Sequence, residues 1–217
     1  MKPFFIEVVS CAKDRPKQFA ARWTWMRRWR DLVDFKFLLG EGNEFQHADE
    51  WILPVNDTWD GVFEKDRASH QRILELGYPY VFHISLDCYP VVPRLLAAFE
   101  NLQGRDYVGT KSGGGDYLGE AGYWLSRRAM EIIAAAPAAP CSYDDQRIGE
   151  ILAAAGIRYH NTPEYASGDQ QTYIFPYQEP RIWRMNSQCS VHLGRGSGTF
   201  QPQWMLDCHR SYVNAQR

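Results

Sequence analysis

The sequence predicts a single α/β domain with a largely parallel central sheet. Short apolar runs typical of buried strands alternate with segments in which apolar residues recur at helical spacing, and this order is the pattern of right-handed βαβ units. The chain has 217 residues, of which 45% are hydrophobic and 23% are charged, as is usual for a folded globular protein. We therefore expect residues 1–217 to form one domain.

Apolar runs bounded by turn residues indicate the strands. The first, FFIEVV, ends in a polar turn, and the second, FKFLL, ends at Gly40. The run ILPV is a weaker candidate because Pro54 cannot donate a backbone hydrogen bond, whereas YVFHI is the clearest strand of the chain. The predicted strands cover residues 4–9, 35–39, 52–55, 80–84, 107–109 and 122–125.

The helices are predicted from apolar spacing and from stop signals. Phe19, Trp23 and Met26 give one apolar face to a helix that follows the first strand, and Gly77 ends a second helix. After Gly156 the periodicity fades, so we expect the C-terminal segment to wrap around the domain. The helices after the first are predicted at residues 58–77, 91–102, 127–135 and 143–155.

The net charge and the cysteine spacing disfavour several classes of protein, namely those that bind polyanions and those built on zinc sites or disulfides. A net charge of -2 provides no field for a polyanion, although Arg27, Arg28 and Arg30 form a local basic cluster. Scattered cysteines without a C-x-x-C pair are typical of reduced thiols and not of a zinc or disulfide framework. No apolar run approaches the ~18 residues of a membrane span. The sequence thus predicts a soluble, cytoplasmic protein.

Polar residues that follow predicted strands are the first candidates for a site, because ligands of open α/β sheets bind at the carboxyl ends of strands. Residues 10–15 follow the first strand, and Ser85 to Asp87 follow the clearest one. Asp87 is a candidate ligand for a divalent cation that would neutralise a diphosphate. Aspartate is also common in turns and at helix caps, so both interpretations stay open.

The pair Asp144 and Asp145, which opens a predicted helix, also has two explanations. One carboxylate could take the proton of an acceptor hydroxyl while the other binds the acceptor or the backbone. Alternatively, both carboxylates stabilise the helix through its dipole. His192 is either a metal ligand or a surface imidazole. The chain has no P-loop, dinucleotide fingerprint or nucleophile elbow, which disfavours ATP hydrolysis and a tight NAD site.

Several motifs stand in an informative order. They are AARWTW at 20–25, FLLG at 37–40, WIL at 51–53, DTW at 57–59 followed by Lys65, YVFHISLDCYP at 80–90, EAGYWLS at 120–126 and DDQRIG at 144–149. In this order they resemble the family-31 glycosyltransferases, the β-1,3-galactosyl, β-1,3-N-acetylglucosaminyl and fringe-like group. The similarity covers about residues 4–157, with a looser match at His192.

The resemblance implies a GT-A (Rossmann-like) domain with a nucleotide-binding half at about residues 1–110 and an acceptor-binding half at about 111–217. It implies an inverting enzyme that moves a sugar from a UDP-sugar donor to an acceptor hydroxyl, on a saccharide or another molecule. Asp87 and His192 would hold Mn²⁺ or Mg²⁺, Asp145 would be the general base, and Asp144 would bind the acceptor. The donor would lie against Ser10, Arg15, Arg22, Lys65, Ser85 and Asp87.

Two departures from the family shape the alternatives. Ser85 and Leu86 replace acidic residues, which motivates a GT-A domain that binds a nucleotide sugar or glycan without turnover. The stretch between Val108 and Tyr117 is also short for the family, as in a compact bacterial or viral relative. The arginine cluster permits a transferase that acts on a modified DNA base, but the net charge does not favour a nucleic acid partner.

Aromatic residues supply a candidate acceptor platform, because aromatic faces stack on sugar rings. Burial in the core is the other interpretation of each of them. The candidates are Trp124, Tyr173, Tyr177, Trp183 and Trp204.

Overall fold

The computed structural model describes residues 2–43, 46–102, 104–111, 117–141, 143–162, 165–166, 190–193 and 201–216. Their strands are β1 (Phe5–Val9), β2 (Asp34–Leu39), β3 (Glu50–Ile52), β4 (Tyr80–Ser85), β5 (Cys88–Pro90), β6 (Tyr107–Lys111), β7 (Leu118–Ser126), β8 (His160–Asn161), β9 (Tyr165–Ala166) and β10 (Ser190–His192). The helices are α1 (Arg15–Ala21), α2 (Arg27–Trp29), α3 (Val62–Glu75), α4 (Val92–Glu100), α5 (Arg127–Ala135), α6 (Asp144–Ala154) and α7 (Pro202–Ala215). A π-helical turn, Arg22–Met26, joins α1 to α2.

Within these ranges the strands form two sheets, and the predicted single α/β domain is confirmed. The larger sheet has the order β3-β2-β1-β4-β7-β6-β8, and the smaller has the order β5-β10-β9. Strands β3, β2, β1 and β4 run parallel, as the alternation of strands and helices predicts. The two central parallel strands, β1 and β4, therefore end at the same edge of the sheet.

Strand β7 departs from the prediction because it runs antiparallel to both of its neighbours, β4 and β6. It is also longer than the predicted 122–125, since it covers Leu118–Ser126. The connection from β6 is too short for the helical crossover that a parallel strand requires, so the chain reverses directly. The central sheet is consequently mixed, although most of its strand pairs are parallel.

Alternation along the strands divides the core between the two faces of the sheet. On β1, Ile6 and Val8 belong to an apolar cluster with α2, α4 and α7, whereas Phe5 belongs to a second cluster with α3, α5 and α6. Glu7 has the same parity as Phe5 and therefore points toward α3. A glutamate thus lies in the middle of the sheet on the face that also carries the second apolar cluster.

Helix α7 was missed by the sequence analysis, which predicted a wrapping segment in this region. Its residues Met205, Cys208 and Tyr212 are buried in the first apolar cluster, and the Trp29 and Tyr212 rings meet edge to face with their centroids 5.5 Å apart. The C-terminal segment therefore completes the core beside α1 and α2, and it does so as a helix.

Candidate functional site

Two predicted donor residues lie at the edge of the sheet where β1 and β4 end. Val9 pairs with Ser85, and the Leu86 N–H donates to the Val9 carbonyl over 3.1 Å. Ser10 is the first residue after β1 and Asp87 the second after β4, so the parallel pairing brings them to the same edge. This is the edge at which open α/β sheets bind their ligands.

Asp87 is buried in the turn between β4 and β5, where the Ser85 hydroxyl donates to its Oδ1. The Asp87 carbonyl accepts a hydrogen bond from the Leu193 N–H over 2.8 Å. Strand β5 pairs antiparallel with β10, and His192 stands opposite Cys88 in that pairing. The structure therefore brings the backbones of the two predicted metal ligands, Asp87 and His192, side by side. For His192 the described structure covers the backbone alone.

The predicted donor arginines are engaged by two carboxylates at the start of β3, Asp49 and Glu50. Arg15 forms two hydrogen bonds with Glu50, of 3.1 and 2.9 Å. Arg22 forms two with Asp49, of 2.7 and 2.9 Å, and a third of 3.3 Å with Glu50. Burial alone would raise the pKa of Glu50, but the hydrogen bonds from Arg15 and the His47 N–H hold that pKa below its usual value. These pairs fasten the N-terminal helices to β3.

Lys65 was predicted to bind the donor, but its side chain is enclosed in the protein. The ammonium lies 2.7 Å from Asp57 Oδ1 and donates to the Ser10 carbonyl over 2.8 Å. Asp57 also accepts the Ala12 and Gly40 N–H groups over 2.8 and 2.6 Å. Lys65 and Asp57 therefore hold together the turns that follow β1 and β2. We call the six charged residues of this region the edge network: Arg15, Arg22, Asp49, Glu50, Asp57 and Lys65.

The two aspartates that open α6 point to different surroundings. Asp144 Oδ2 lies 3.2 Å from His83 Nε2 in the interior. Asp145 accepts the Gln146 N–H over 2.8 Å and packs on Gly119, where an added Cβ would come within 2.4 Å of Asp145 Oδ2. Because Leu118 pairs with Lys111 at the carboxyl end of β6, Gly119 and Asp145 lie near the same edge as Ser10.

Trp124 does not form an acceptor platform. It is fully buried on β7, and its ring packs against Phe4 and Phe82 with centroid distances of 4.7 and 4.8 Å. The core interpretation therefore applies to Trp124, and the half-buried Trp204 also packs against this cluster. The remaining candidates, Tyr173, Tyr177 and Trp183, lie outside the described residues.

A row of polar side chains crosses the middle of the sheet. Glu7 on β1 stands opposite His83 on β4, which stands opposite Tyr123 on β7. His83 Nδ1 lies 2.9 Å from Glu7 Oε1, and the His83 ring stacks on Tyr123 with centroids 4.6 Å apart. From α3, His70 Nε2 lies 2.9 Å from Glu7 Oε1 and the Ser69 hydroxyl donates to Oε2.

Asp66 of α3 and Asp144 of α6 complete this group. Asp66 Oδ1 lies 3.7 Å from His83 Nδ1, and Asp66 is fully buried. We call Glu7, Asp66, His70, His83 and Asp144 the buried polar cluster. The sequence patterns did not predict this cluster, although a glutamate inside FFIEVV and a histidine inside YVFHI are signals of polar groups in buried strands.

The buried polar cluster shifts the pKa values of its members strongly. Burial favours the neutral form of Glu7, but His70 and His83 outweigh it and hold the pKa of Glu7 well below the usual range. Burial likewise lowers the pKa of His83, yet Asp66, Asp144 and Glu7 together raise it well above its usual value. Burial raises the pKa of Asp66, and the charges of Asp144 and Glu7 raise it further against the opposing effect of His83. The cluster is thus short of positive charge.

Solved structures identify the fold. A glycosyltransferase involved in the glycosylation of the major capsid of PBCV-1 matches with a TM-score of 0.56 at 11% identity, covering 94% of this chain and 98% of that one. A Desulfovibrio desulfuricans protein to which nucleotide-diphospho-sugar transferase activity is attributed matches with a TM-score of 0.51 at 13% identity, covering 75% of this chain and 80% of the other. No protein-family profile and no curated protein sequence matches the chain.

At these identities the similarity shows the fold, which is that of GT-A nucleotide-sugar transferases. It does not support the narrower resemblance to family 31. In the described part of the chain, every helix is too short or too polar to span a bilayer.

Proposed function

We propose that this protein is an inverting glycosyltransferase that moves a sugar from a UDP-sugar to an acceptor hydroxyl. The observation that carries the proposal is the pairing of β5 with β10, which sets His192 beside Asp87 at the carboxyl edge of β4. The backbones of an aspartate and a histidine from distant parts of the chain thereby lie side by side at the edge where we propose that the nucleotide binds. The C-terminal segment is needed to complete this site.

The donor half, at about residues 1–110, offers a cation site and a polar edge. Asp87 and His192 would hold Mn²⁺ or Mg²⁺, which acts as a Lewis acid for the departing diphosphate. Ser85 fixes the Asp87 carboxylate by donating to Oδ1. Ser10, Arg15 and Arg22 stay candidates for donor contacts, since the arginine side chains are 22% and 25% exposed beside the end of β1.

The acceptor half, at about residues 111–217, offers the carboxylate pair of α6. In a single displacement, Asp145 would take the proton of the acceptor hydroxyl as the sugar is transferred. Asp144 Oδ2 lies 3.2 Å from His83 Nε2, and Asp144 is therefore better suited to fix the start of α6 or to bind the acceptor. The acceptor itself is a saccharide or another molecule with a reactive hydroxyl.

Calorimetric titration with UDP, GDP, CMP and dTDP, each with and without Mn²⁺, tests the donor assignment. We expect UDP to bind most tightly and only with the cation, and Asp87→Asn to remove the effect of Mn²⁺. Asp106→Asn, which changes an aspartate far from this edge, is the matched control. A preference for guanine or thymine overturns the choice of donor, and an unchanged Mn²⁺ effect in Asp87→Asn overturns the cation site.

A second candidate, binding of a nucleotide sugar without turnover, is favoured by one observation. Leu86, which stands where the resembled family has an acidic residue, is buried and bonded through its backbone to Val9. Position 86 therefore serves the core and adds no ligand to the site. Hydrolysis of a UDP-sugar by the wild type, measured as free UDP and lost in Asp145→Asn, would exclude this candidate.

A further inference from the structure

The buried polar cluster has the composition and the spacing of a metal site. Ligand atoms of Glu7, Asp66 and His83 all lie within 4.8 Å of one another, and all three side chains are buried. They come from β1, α3 and β4, so the site would join the centre of the sheet to the helix that covers it. Two carboxylates and one imidazole are a ligand set that suits divalent first-row transition metals.

Asp66 provides an independent indication of a bound cation. Both of its carboxylate oxygens are buried, and no hydrogen-bond donor among the described residues reaches either of them. Its neighbours include another carboxylate, Asp144, which forms a hydrogen bond with Asp66 when one of the two carries a proton and repels it when both are ionised. A fully buried carboxylate without a donor is costly, and proteins resolve this cost with a proton or with a cation.

We propose that Glu7, Asp66 and His83 bind a divalent transition-metal ion at a site separate from Asp87 and His192. His83 Nδ1 lies 2.9 Å from Glu7 Oε1 and 3.7 Å from Asp66 Oδ1. Neighbouring ligands around an ion with bonds of about 2.0–2.2 Å are separated by about 3.0–3.5 Å. The three ligand atoms, which all lie within 4.8 Å of one another, would therefore close around the ion when it binds. The site faces α3 and is enclosed, unlike the edge of the sheet.

The surrounding hydrogen bonds suit this assignment. When Nδ1 of His83 binds the ion, its Nε2–H donates to Asp144 Oδ2, 3.2 Å away. A carboxylate on the far nitrogen of a ligating histidine is the usual outer partner in metal sites, because it fixes the tautomer. Ser69 and His70 hold the Glu7 carboxylate in the same way. The ion would therefore fasten the start of α6, which carries Asp144, to the sheet.

The test is the metal content of the full chain after removal of metal with a chelator and reloading with Zn²⁺ or Mn²⁺, with Ca²⁺ as the comparison. We expect about one tightly held ion per Asp87→Asn chain with Zn²⁺ or Mn²⁺, because this variant lacks the separate site proposed at Asp87 and His192. Added to Asp87→Asn, Asp66→Asn should abolish this binding, and Asp144→Asn, which removes an outer partner, should weaken it about 10–100-fold. These measurements do not depend on transferase activity, so the proposed function can fail separately.

Two results would overturn the site. They are a reloaded Asp87→Asn protein without metal, and an Asp87→Asn protein that keeps its metal when Asp66→Asn is added. Should Asp66→Asn fail to fold, the visible spectrum of the Co²⁺-loaded Asp87→Asn protein decides. An imidazole-ligated spectrum that is lost in folded His83→Gln supports the site, and a spectrum that His83→Gln leaves unchanged contradicts it.

Discussion

The edge network and the buried polar cluster both contain three carboxylates, and they differ in the groups that balance the negative charge. In the edge network, Asp49, Glu50 and Asp57 are matched by the permanent charges of two arginines and a lysine. In the buried polar cluster, three carboxylates meet only two imidazoles, His70 and His83. Arginine and lysine are charged at neutral pH whatever their neighbours, whereas the charge of an imidazole depends on its surroundings, as the raised pKa of His83 shows. The charges of the edge network therefore balance among its own side chains, whereas the buried polar cluster needs bound protons or a metal ion for neutrality.

The largest expected effect is a loss of turnover on changing Asp145, a carboxylate that belongs neither to the edge network nor to the buried polar cluster. Asp145 lies outside both, whereas Asp144 is held within the cluster, so we expect Asp145→Asn to lower kcat ~10²–10⁴-fold with little change in donor affinity. Asp144→Asn should lower turnover less. Turnover with a donor-binding isotherm for each variant is the measurement. If Asp144→Asn is inactive and Asp145→Asn is not, the base is Asp144.

Removal of the buried ammonium of the edge network should cost the most stability. Lys65→Met leaves Asp57 without its cation, and we expect the free energy of unfolding to fall by about 3–5 kcal/mol. Urea denaturation measures this change. The exposed Lys13→Met is the matched control and should stay within about 0.5 kcal/mol of the wild type. Equal values for the two variants would show that the edge network does not need its internal cation.

Acid should weaken the edge network through Asp57. Burial alone would raise the pKa of Asp57, but hydrogen bonds from the Ala12 N–H, from Lys65 and from the Gly40 N–H lower it. Because the folded-state pKa lies below the unfolded value of about 4, the stabilisation is present above that value and is lost as pH falls through the folded pKa.

We therefore expect the stability difference between wild type and Asp57→Asn to shrink on acidification from about pH 6 to about pH 3. Urea denaturation at a series of pH values checks this. Asp31→Asn, in a fully exposed turn, should show no such trend. A difference that stays constant over this range would mean that Asp57 is not ionised differently in the folded and unfolded chains.

The smallest expected effect is the loss of stability when an arginine of the edge network is replaced by lysine, which keeps the charge and changes the geometry of the cation. Arg22→Lys keeps the positive charge but loses the paired hydrogen bonds to Asp49, which should cost about 0.5–1 kcal/mol in this partly exposed pair. The exposed Arg127→Lys, whose partner is Glu131, should cost less. A thermal-denaturation series would detect the difference, and equal values would indicate that charge alone holds this edge.

The sequence predicted local elements well where one physical signal decides them. The apolar run YVFHI predicted β4, and α5 begins and ends where its amphipathic spacing predicted, at Arg127 and Ala135. The direction of β7 and the existence of α7 depend on chain reversal and on packing against distant helices. Both nevertheless leave a local signal that the sequence-based prediction did not use. The connection after β6 is too short for a parallel crossover, and Met205, Cys208 and Tyr212 stand at helical spacing after Pro202.

The candidate site likewise contains residues that a local sequence pattern predicts and contacts that depend on distant parts of the chain. Ser10 and Asp87 were predicted because they closely follow strands, and the structure places both at one edge. The engagement of Lys65 by Asp57 was not foreseen, because it depends on two turns that meet only in the folded chain. The buried polar cluster was missed for the same reason, since Glu7 and His83 stand far apart in sequence and become neighbours through strand pairing.

The row of Glu7, His83 and Tyr123 also affects which register the central strands adopt during folding. A slip of one residue between neighbouring strands would turn every side chain of one strand to the opposite face. Glu7 would then be buried among the apolar partners of Ile6 and Phe82, away from every imidazole. Misaligned pairings of β1 with β4 are therefore penalised at their centre. During folding, the polar row would therefore favour the native register of the three central strands, β1, β4 and β7, over registers shifted by one residue.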